Sequence, residues 1–261
     1  MQRLITTTLD VLGHPFIHDW KVWRNRCNIC KRATVFVATT SKEQWLRRCV
    51  LCRSTPKYRA IYKAISDHLK CDLEEFASTG RNIYEMSTTS PLFRRLSKYP
   101  NYEAIGFFFD KPFGAKVDGR IWNQDVQNLS FADESMDLVI SSETMEHVRD
   151  PWKGFREIWR VLRPGGSHCF TIPYYADRRT TSRVDISGPT DVYILPKVYH
   201  LDPYRRDDSL VYTDYGSDLI ELLEPLGFKT REVMVLETRN DIQDDLRPVR
   251  VFVSTKASKR P

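Results

Sequence analysis

Residues 123–166 read NQDVQNLSFADESMDLVISSETMEHVRDPWKGFREIWRVLRPGG, and this stretch constrains the fold more than any other. Met136 to Ile140 is a short apolar run around Asp137, the pattern of a strand covered on both faces. Asp150-Pro151 opens a helix, with Pro151 at the first helical position. Trp152, Phe155, Ile158, Trp159 and Leu162 then recur at helical spacing on one face. Pro164-Gly165-Gly166 stops the helix, and Ser167 to Pro173 reads as the next strand. A strand, a helix and a strand in this order imply a parallel sheet.

The same stretch resembles the second half of a class I S-adenosylmethionine-dependent methyltransferase, of the broad small-molecule type that includes ubiquinone-pathway O-methyltransferases. The residues that carry the resemblance are Asp125-Val126, Leu129, Phe131, Asp137-Leu138-Val139, Glu146-His147-Val148, Phe155, Glu157, Arg160-Val161-Leu162 and Pro164-Gly165-Gly166. It extends less clearly from about Asn82 to Lys256. It implies an α/β, Rossmann-like fold: a seven-stranded, mostly parallel sheet with helices on both faces.

The rest of the chain can be set around that unit. Pro56 to Leu69 predicts a helix, with Tyr58, Ile61, Tyr62, Ile65 and Leu69 on one stripe. Asn82–Met86 reads as the first strand, Pro91–Leu96 as the first helix and Tyr102–Phe109 as the second strand. Tyr215–Leu226 reads as the last helix, stopped by Gly227. Lys229–Leu236 and Val249–Thr255 read as a closing hairpin. Residues 174–212 are polar, aromatic and too long for an ordinary connection. In the family that this chain resembles, an insertion there commonly covers the substrate.

Upstream lies a second unit. Cys27-x-x-Cys30 and Cys49-x-x-Cys52 are two knuckles whose spacing reads as a structural Cys₄ zinc site. Two domains follow: residues 1–56 with the zinc-binding module, and residues 57–261 with the methyltransferase-like unit. Trp20 and Trp23 are expected to pack, while Cys71 and Cys169 read as ordinary core or surface residues. Residues 1–60 hold twelve Lys/Arg against three Asp/Glu, a net of +9, although the whole chain carries only +6. The basic balance thus belongs to the zinc module. It suits an anionic partner such as RNA, or is simply a solvated basic surface. No apolar run approaches membrane-spanning length and no signal-peptide core opens the chain, so a cytoplasmic protein without membrane contact is expected.

The resemblance places S-adenosylmethionine in the crevice at the carboxyl ends of the first strands. Glu85 matches the acidic position of strand one, and Ser87 and Thr88 begin the turn that follows. That turn, Ser87-Thr88-Thr89-Ser90-Pro91, lacks the family's glycines. Phe107 stands where relatives carry the ribose-binding carboxylate, with Asp110 a few residues further on as a substitute. Asp125-Val126 matches the adenine-reading pair, and Ser141 and Ser142 match positions beside the cofactor.

Two histidines stand where an acceptor would lie. His147 follows strand four, and His200 belongs to Val198-Tyr199-His200-Leu201-Asp202-Pro203 in the insertion. Either suits a base that takes an acceptor proton. Glu143-x-x-Glu146-His147 also resembles the metal site of small-RNA 3′-end 2′-O-methyltransferases, which implies a second, divalent ion there; otherwise Glu146-His147 caps the strand-four turn. His14, His18, His68 and His168 read as structural or surface residues. The expected function is methylation of a hydroxyl on a small molecule, sugar or glycan precursor. Two alternatives stand beside it: an RNA methyltransferase using the basic zinc module, and a non-catalytic binding or scaffold protein that keeps the fold.

Overall fold

The structure, a computed structural model, describes residues 20–39, 47–108, 110–201, 208–236 and 248–257. His14, His18 and Phe109 lie outside the described residues. The N-terminal unit is a three-stranded antiparallel sheet of β1 (Trp20–Arg26), β2 (Ala33–Thr39) and β3 (Arg48–Cys49), in that order. Trp23 packs there, its ring stacked on Phe36 at 5.5 Å.

Next come helices α1 (Pro56–Leu69) and α2 (Leu73–Ser78), strand β4 (Ile83–Glu85), helix α3 (Phe93–Leu96) and strand β5 (Tyr102–Gly106). Strands β6 (Lys116–Asp118), β7 (Ile121–Asn123) and β8 (Met136–Ser142) follow, then a 3₁₀ turn (Met145–His147), helix α4 (Pro151–Val161) and strand β9 (Leu162–Thr171). The insertion holds the short strands β10 (Tyr174–Tyr175), β11 (Thr181–Ser182), β12 (Val184–Asp185), β13 (Val192–Tyr193), β14 (Tyr199–Leu201) and β15 (Asp208–Leu210). The chain returns through β16 (Thr213–Gly216) and α5 (Leu219–Leu223), and closes with β17 (Phe228–Val235) and β18 (Val249–Lys256).

The expected Rossmann-like fold is present, as one mixed sheet in the order β17-β18-β9-β8-β4-β5-β7-β6. Strands β7, β5, β4, β8 and β9 are mutually parallel, and the order reverses between β4 and β8. At such a reversal, outside the carboxyl ends of the strands, doubly wound sheets bind ligands. Side chains alternate across the sheet. Ile83, Leu138, Ile140 and Val251 face α1, α2 and the N-terminal unit, while Tyr84, Val139, Phe170 and Phe252 face α4 and α5. Trp23, Cys27, Ile29, Phe36 and Cys49 belong to the first of these cores, so the N-terminal unit shares its packing with the large sheet.

Several boundaries differ from the sequence expectation. The sheet has eight strands rather than seven, because residues 111–118 fold back and add β6 antiparallel to β7. Strand β5 stops at Gly106, since Phe108 turns its ring over that glycine, 2.5 Å from where a Cβ would stand. The closing helix starts only at Leu219: Tyr215 is in β16, which pairs with β10 and β11. Pro164-Gly165-Gly166 lies inside β9, in a stretch where the register with β8 shifts.

Candidate active site and metal centre

The two Cys-x-x-Cys knuckles meet. One follows β1, and the other begins at the end of β3. Lys31 and Arg53, one residue past each knuckle, take positive φ (60° and 58°), which curls each turn back on itself. The four sulfurs lie within 4.8 Å of one another, with Cys27–Cys52 at 3.6 Å and Cys30–Cys49 at 3.9 Å. A tetrahedron with zinc–sulfur bonds of about 2.3 Å has edges of about 3.8 Å. The donor set and its spacing fit that shell. The Ser54 hydroxyl lies beside it, 3.1 Å from Cys52 Sγ and 3.5 Å from Cys27 Sγ.

The residues expected to hold the cofactor differ in burial and in partners. Glu85 is buried and accepts from the Tyr102 hydroxyl at 2.5 Å. Burial pushes its carboxyl up to about 7, against the opposing hydrogen bonds from Ser90 and Tyr102. Ser87 and Thr88 are half-buried just beyond β4. Phe107 packs its ring against Phe113 at 5.5 Å. Asp110 is on the surface, its side chain 75% exposed and 3.4 Å from the Lys111 ammonium.

Asp125 is half-buried beyond β7, and its carboxylate accepts from the Gln127 backbone N–H (2.9 Å) and side-chain amide (3.0 Å). Val126 is buried against Gly154 of α4, where a Cβ would stand 3.4 Å from it. Ser141 is buried and 2.9 Å from His168 Nε2, while Ser142 is 3.0 Å from the Thr171 hydroxyl. This donor set suits S-adenosylmethionine at its adenine end, through Asp125, and at its amino-acid end, through the hydroxyls after β4. Of the carboxylates on and just after β5, Asp110 faces solvent, and Glu103 accepts from the Trp122 indole at 2.7 Å.

One residue with a structural part in this loop escaped the sequence reading. Asn123 is fully buried and exchanges hydrogen bonds with Phe108 N–H (2.7 Å), Phe108 C=O (2.8 Å) and Lys111 C=O (2.6 Å). It ties Phe108 and Lys111 to the end of β7. Its sequence signal is only a polar residue closing an apolar strand.

The densest group of chemistry lies just past β8. Glu143 takes a positive φ of 52°, which turns the chain sharply out of the strand and into the 3₁₀ turn. Three contacts pin that turn, two from the end of the insertion and one from β16: Tyr212 N–H donates to Glu146 C=O (2.8 Å), Leu210 C=O lies 2.8 Å from His147 Nδ1, and Tyr215 OH donates to Met145 C=O (3.0 Å). Glu146 is fully buried, and neither carboxylate oxygen has a hydrogen-bond partner among the described residues. Two imidazole nitrogens face it, His147 Nε2 at 3.5 Å and His200 Nδ1 at 3.7 Å. The two imidazoles meet edge to face with centroids 5.1 Å apart.

The electrostatics follow from that geometry. The facing Glu146 carboxylate raises the His200 pKa above its usual value, with partial burial opposing, and burial raises the Glu146 carboxyl. Glu143 is engaged elsewhere, 2.6 Å from Lys57 Nζ on α1. The structure therefore brings Glu146 and His147 together with His200 rather than with Glu143. Of the other histidines, His168 is fully buried and His68 contacts the Ser167 hydroxyl at 2.8 Å.

Comparison with known proteins agrees with the fold. A family model described as a methyltransferase domain matches residues 109–170. An uncharacterized methyltransferase of Mycobacterium sp. (strain KMS) is 48% identical over 52 residues, 20% of this chain and 21% of that protein. A probable S-adenosylmethionine-dependent methyltransferase of Mycolicibacterium smegmatis is 27% identical over 135 residues, 50% of this chain and 45% of that one. The chain thus spans less than half the length of either relative. A solved S-adenosylmethionine-dependent methyltransferase from Mesorhizobium loti superposes with a TM-score of 0.45 at 17% identity, covering 68% of this chain and 91% of that one.

Proposed function

We propose that this chain is an S-adenosylmethionine-dependent methyltransferase that methylates a hydroxyl group of a small molecule, sugar or glycan precursor. One observation carries the reading: Glu146 and His147, just past β8, meet His200 from the insertion. When bound, S-adenosylmethionine supplies an electrophilic methyl group. The chain's own task is to hold the acceptor oxygen in line and remove its proton. Ser87, Thr88, Asp125, Val126, Ser141 and Ser142 would hold the cofactor. Its ribose would lie beside Phe107, without a carboxylate partner.

The imidazoles of His147 and His200, which both face Glu146, would manage the acceptor proton. A carboxylate facing an imidazole fixes its tautomer and offsets the charge it gains, which is how histidine bases are commonly supported. The four cysteines would hold a structural zinc ion, since four thiolates leave no open coordination position.

Calorimetry with S-adenosylmethionine and S-adenosylhomocysteine tests the first half of the reading. Turnover of His200→Ala with a panel of hydroxylated acceptors tests the second: a loss of about 10²–10⁴-fold in kcat with cofactor affinity unchanged is expected. A chain that binds neither nucleoside would instead be a binding protein, the reading that the Phe107 position favours. An RNA acceptor is less favoured. Part of the basic charge near the zinc module is engaged internally, with Lys31 paired to Asp72 at 2.9 Å and Arg59 donating to Arg47 C=O at 3.1 Å. Salt-dependent RNA binding by the full chain, lost on neutralising Arg48 and Arg53, would restore it.

A further inference from the structure

We propose that the acceptor carries a phosphate group, and that Arg53 and Arg94 bind it where the second cysteine knuckle meets helix α3. The proposal rests on the methyltransferase reading above and names a class of substrate for that same site.

The first observation is where the knuckle sits. Strands β4 and β8 are parallel neighbours, and the knuckle is tied to the segments that follow both. On one side, Arg94 of α3, beyond the turn after β4, donates from its guanidinium to the Cys52 carbonyl at 3.3 Å. On the other, Lys57 in the first turn of α1 reaches Glu143, the residue after β8, at 2.6 Å. The chain from Cys52 to Lys57 thus bridges from the end of the expected cofactor turn to the start of the turn that carries Glu146 and His147. The Glu146 carboxylate raises the His200 pKa, and Lys57 is near enough to oppose that rise. The zinc unit therefore borders the residues that would take the acceptor proton.

The second observation is charge. Residues 47–58 hold Arg47, Arg48, Arg53 and Lys57 and no Asp or Glu. Lys57 is taken by Glu143. Arg53 is exposed, and its side chain has no hydrogen-bond or ion-pair partner among the described residues. Arg94 is exposed as well, and it meets a carbonyl rather than a carboxylate, so its charge is not offset there. Its neighbour Arg95 shows the contrast, paired with Glu74 at 2.6 Å. Arg94 and Arg53 come together through one peptide, since Arg94 holds the Cys52 carbonyl and Arg53 is the next residue.

Two uncompensated guanidiniums on adjoining backbone repel one another and gain from an anion shared between them. Each fork offers two parallel N–H groups, which match the oxygens of a phosphate. A phosphate fixed there would anchor the acceptor while its hydroxyl is aligned with the methyl group.

A competing account is that the arginines only offset the zinc centre, whose ion and four thiolates sum to a net charge of −2. Arg94 speaks against it, because its contact is with the Cys52 carbonyl and not with a sulfur.

The test uses the zinc-loaded full chain with inorganic phosphate as the probe, followed by titration calorimetry at fixed ionic strength. Phosphate should bind the wild type at one site. Arg53→Gln and Arg94→Gln should each weaken it by about 10–100-fold, with zinc content and S-adenosylhomocysteine affinity unchanged. Arg24→Gln, at an exposed position on β1 of the same unit, should leave phosphate binding as it was. A wild type that binds S-adenosylhomocysteine but no phosphate would overturn the proposal and leave the methyltransferase reading standing. Variants that lose zinc yet bind phosphate normally would overturn it in favour of the thiolates. Weaker S-adenosylhomocysteine binding by Arg94→Gln would give that guanidinium to the cofactor's carboxylate. Equal weakening by Arg24→Gln, with a single-stranded RNA oligonucleotide bound more tightly than phosphate, would replace the phosphorylated small acceptor by RNA. Phosphate bound by a chain that takes no S-adenosylhomocysteine would keep the anion site and sink the reading that makes its occupant an acceptor.

Discussion

Glu85 offers a test in which the structure sets the magnitude. It is a fully buried carboxyl on β4, and burial pushes its pKa from 4.5 up to about 7. Between those values the folded state keeps a proton that the unfolded state has lost. The unfolded state therefore binds fewer protons, and stability falls as pH rises through this window. The rise is worth about 3 kcal/mol once both states are ionised, and about 2–3 kcal/mol of it accrues between about pH 5 and about pH 8. Glu85→Gln keeps an oxygen to accept from Tyr102 OH and removes the titration. The amide has its own cost, but that cost is the same at both pH values. Urea unfolding of wild type and variant at the two pH values gives a double difference in which other groups cancel. The variant should gain about 2–3 kcal/mol relative to wild type on going to the higher pH. An unchanged difference would mean that Glu85 is ionised and compensated in the folded state, which would refute the neutral buried carboxyl.

Three further outcomes are expected. Freshly purified reduced protein should carry zinc on its four cysteines, and Cys27→Ser should lower both zinc content and the melting temperature of the large domain, because Trp23, Ile29 and Phe36 share its core; metal analysis and calorimetry check this. Asp125→Ala should weaken S-adenosylmethionine binding by about 1–3 kcal/mol by titration calorimetry, the cost of leaving a buried amine unpaired. Arg160→Ala should destabilise the fold by about 2–4 kcal/mol in denaturant melts, since its guanidinium donates to Phe131 C=O (2.9 Å) and Leu129 C=O (2.8 Å) and pairs with Glu157 (2.8 Å) and Asp133 (2.6 Å).

What is legible in the sequence is local. The Met136–Ser142 strand, the Pro151–Val161 helix and the Pro56–Leu69 helix each carry their own period, and each appears within a residue or two of where that period places it. The cysteine knuckles are equally self-contained, since two residues between thiolates already bring a pair together. The boundaries that differ are decided by contacts between segments. Tyr215 fits a helix by pattern, yet it lies in β16 because β10 and β11 pair there and its hydroxyl reaches Met145 C=O. Gly106 ends β5 because Phe108 folds over it, which no periodicity foretells.

The candidate site shows the same division more sharply. Glu146 and His147 are neighbours in a motif, so a site can be read there, and Glu143 is the natural third member because one helical turn would align it. The turn is not α-helical. A positive φ at Glu143 sends its carboxylate to Lys57, and a 3₁₀ turn leaves Glu146 facing inward. The third place is taken by His200, more than fifty residues away in sequence, because the β14–β15 hairpin returns to the 3₁₀ turn and bonds to it through Leu210 and Tyr212. The insertion is thus part of the site's construction and not only a cover: without the Leu210 carbonyl, His147 has no fixed tautomer, and without His200, Glu146 faces one imidazole instead of two. Chemistry assembled from a turn and a distant hairpin is visible only when the register of that hairpin is known.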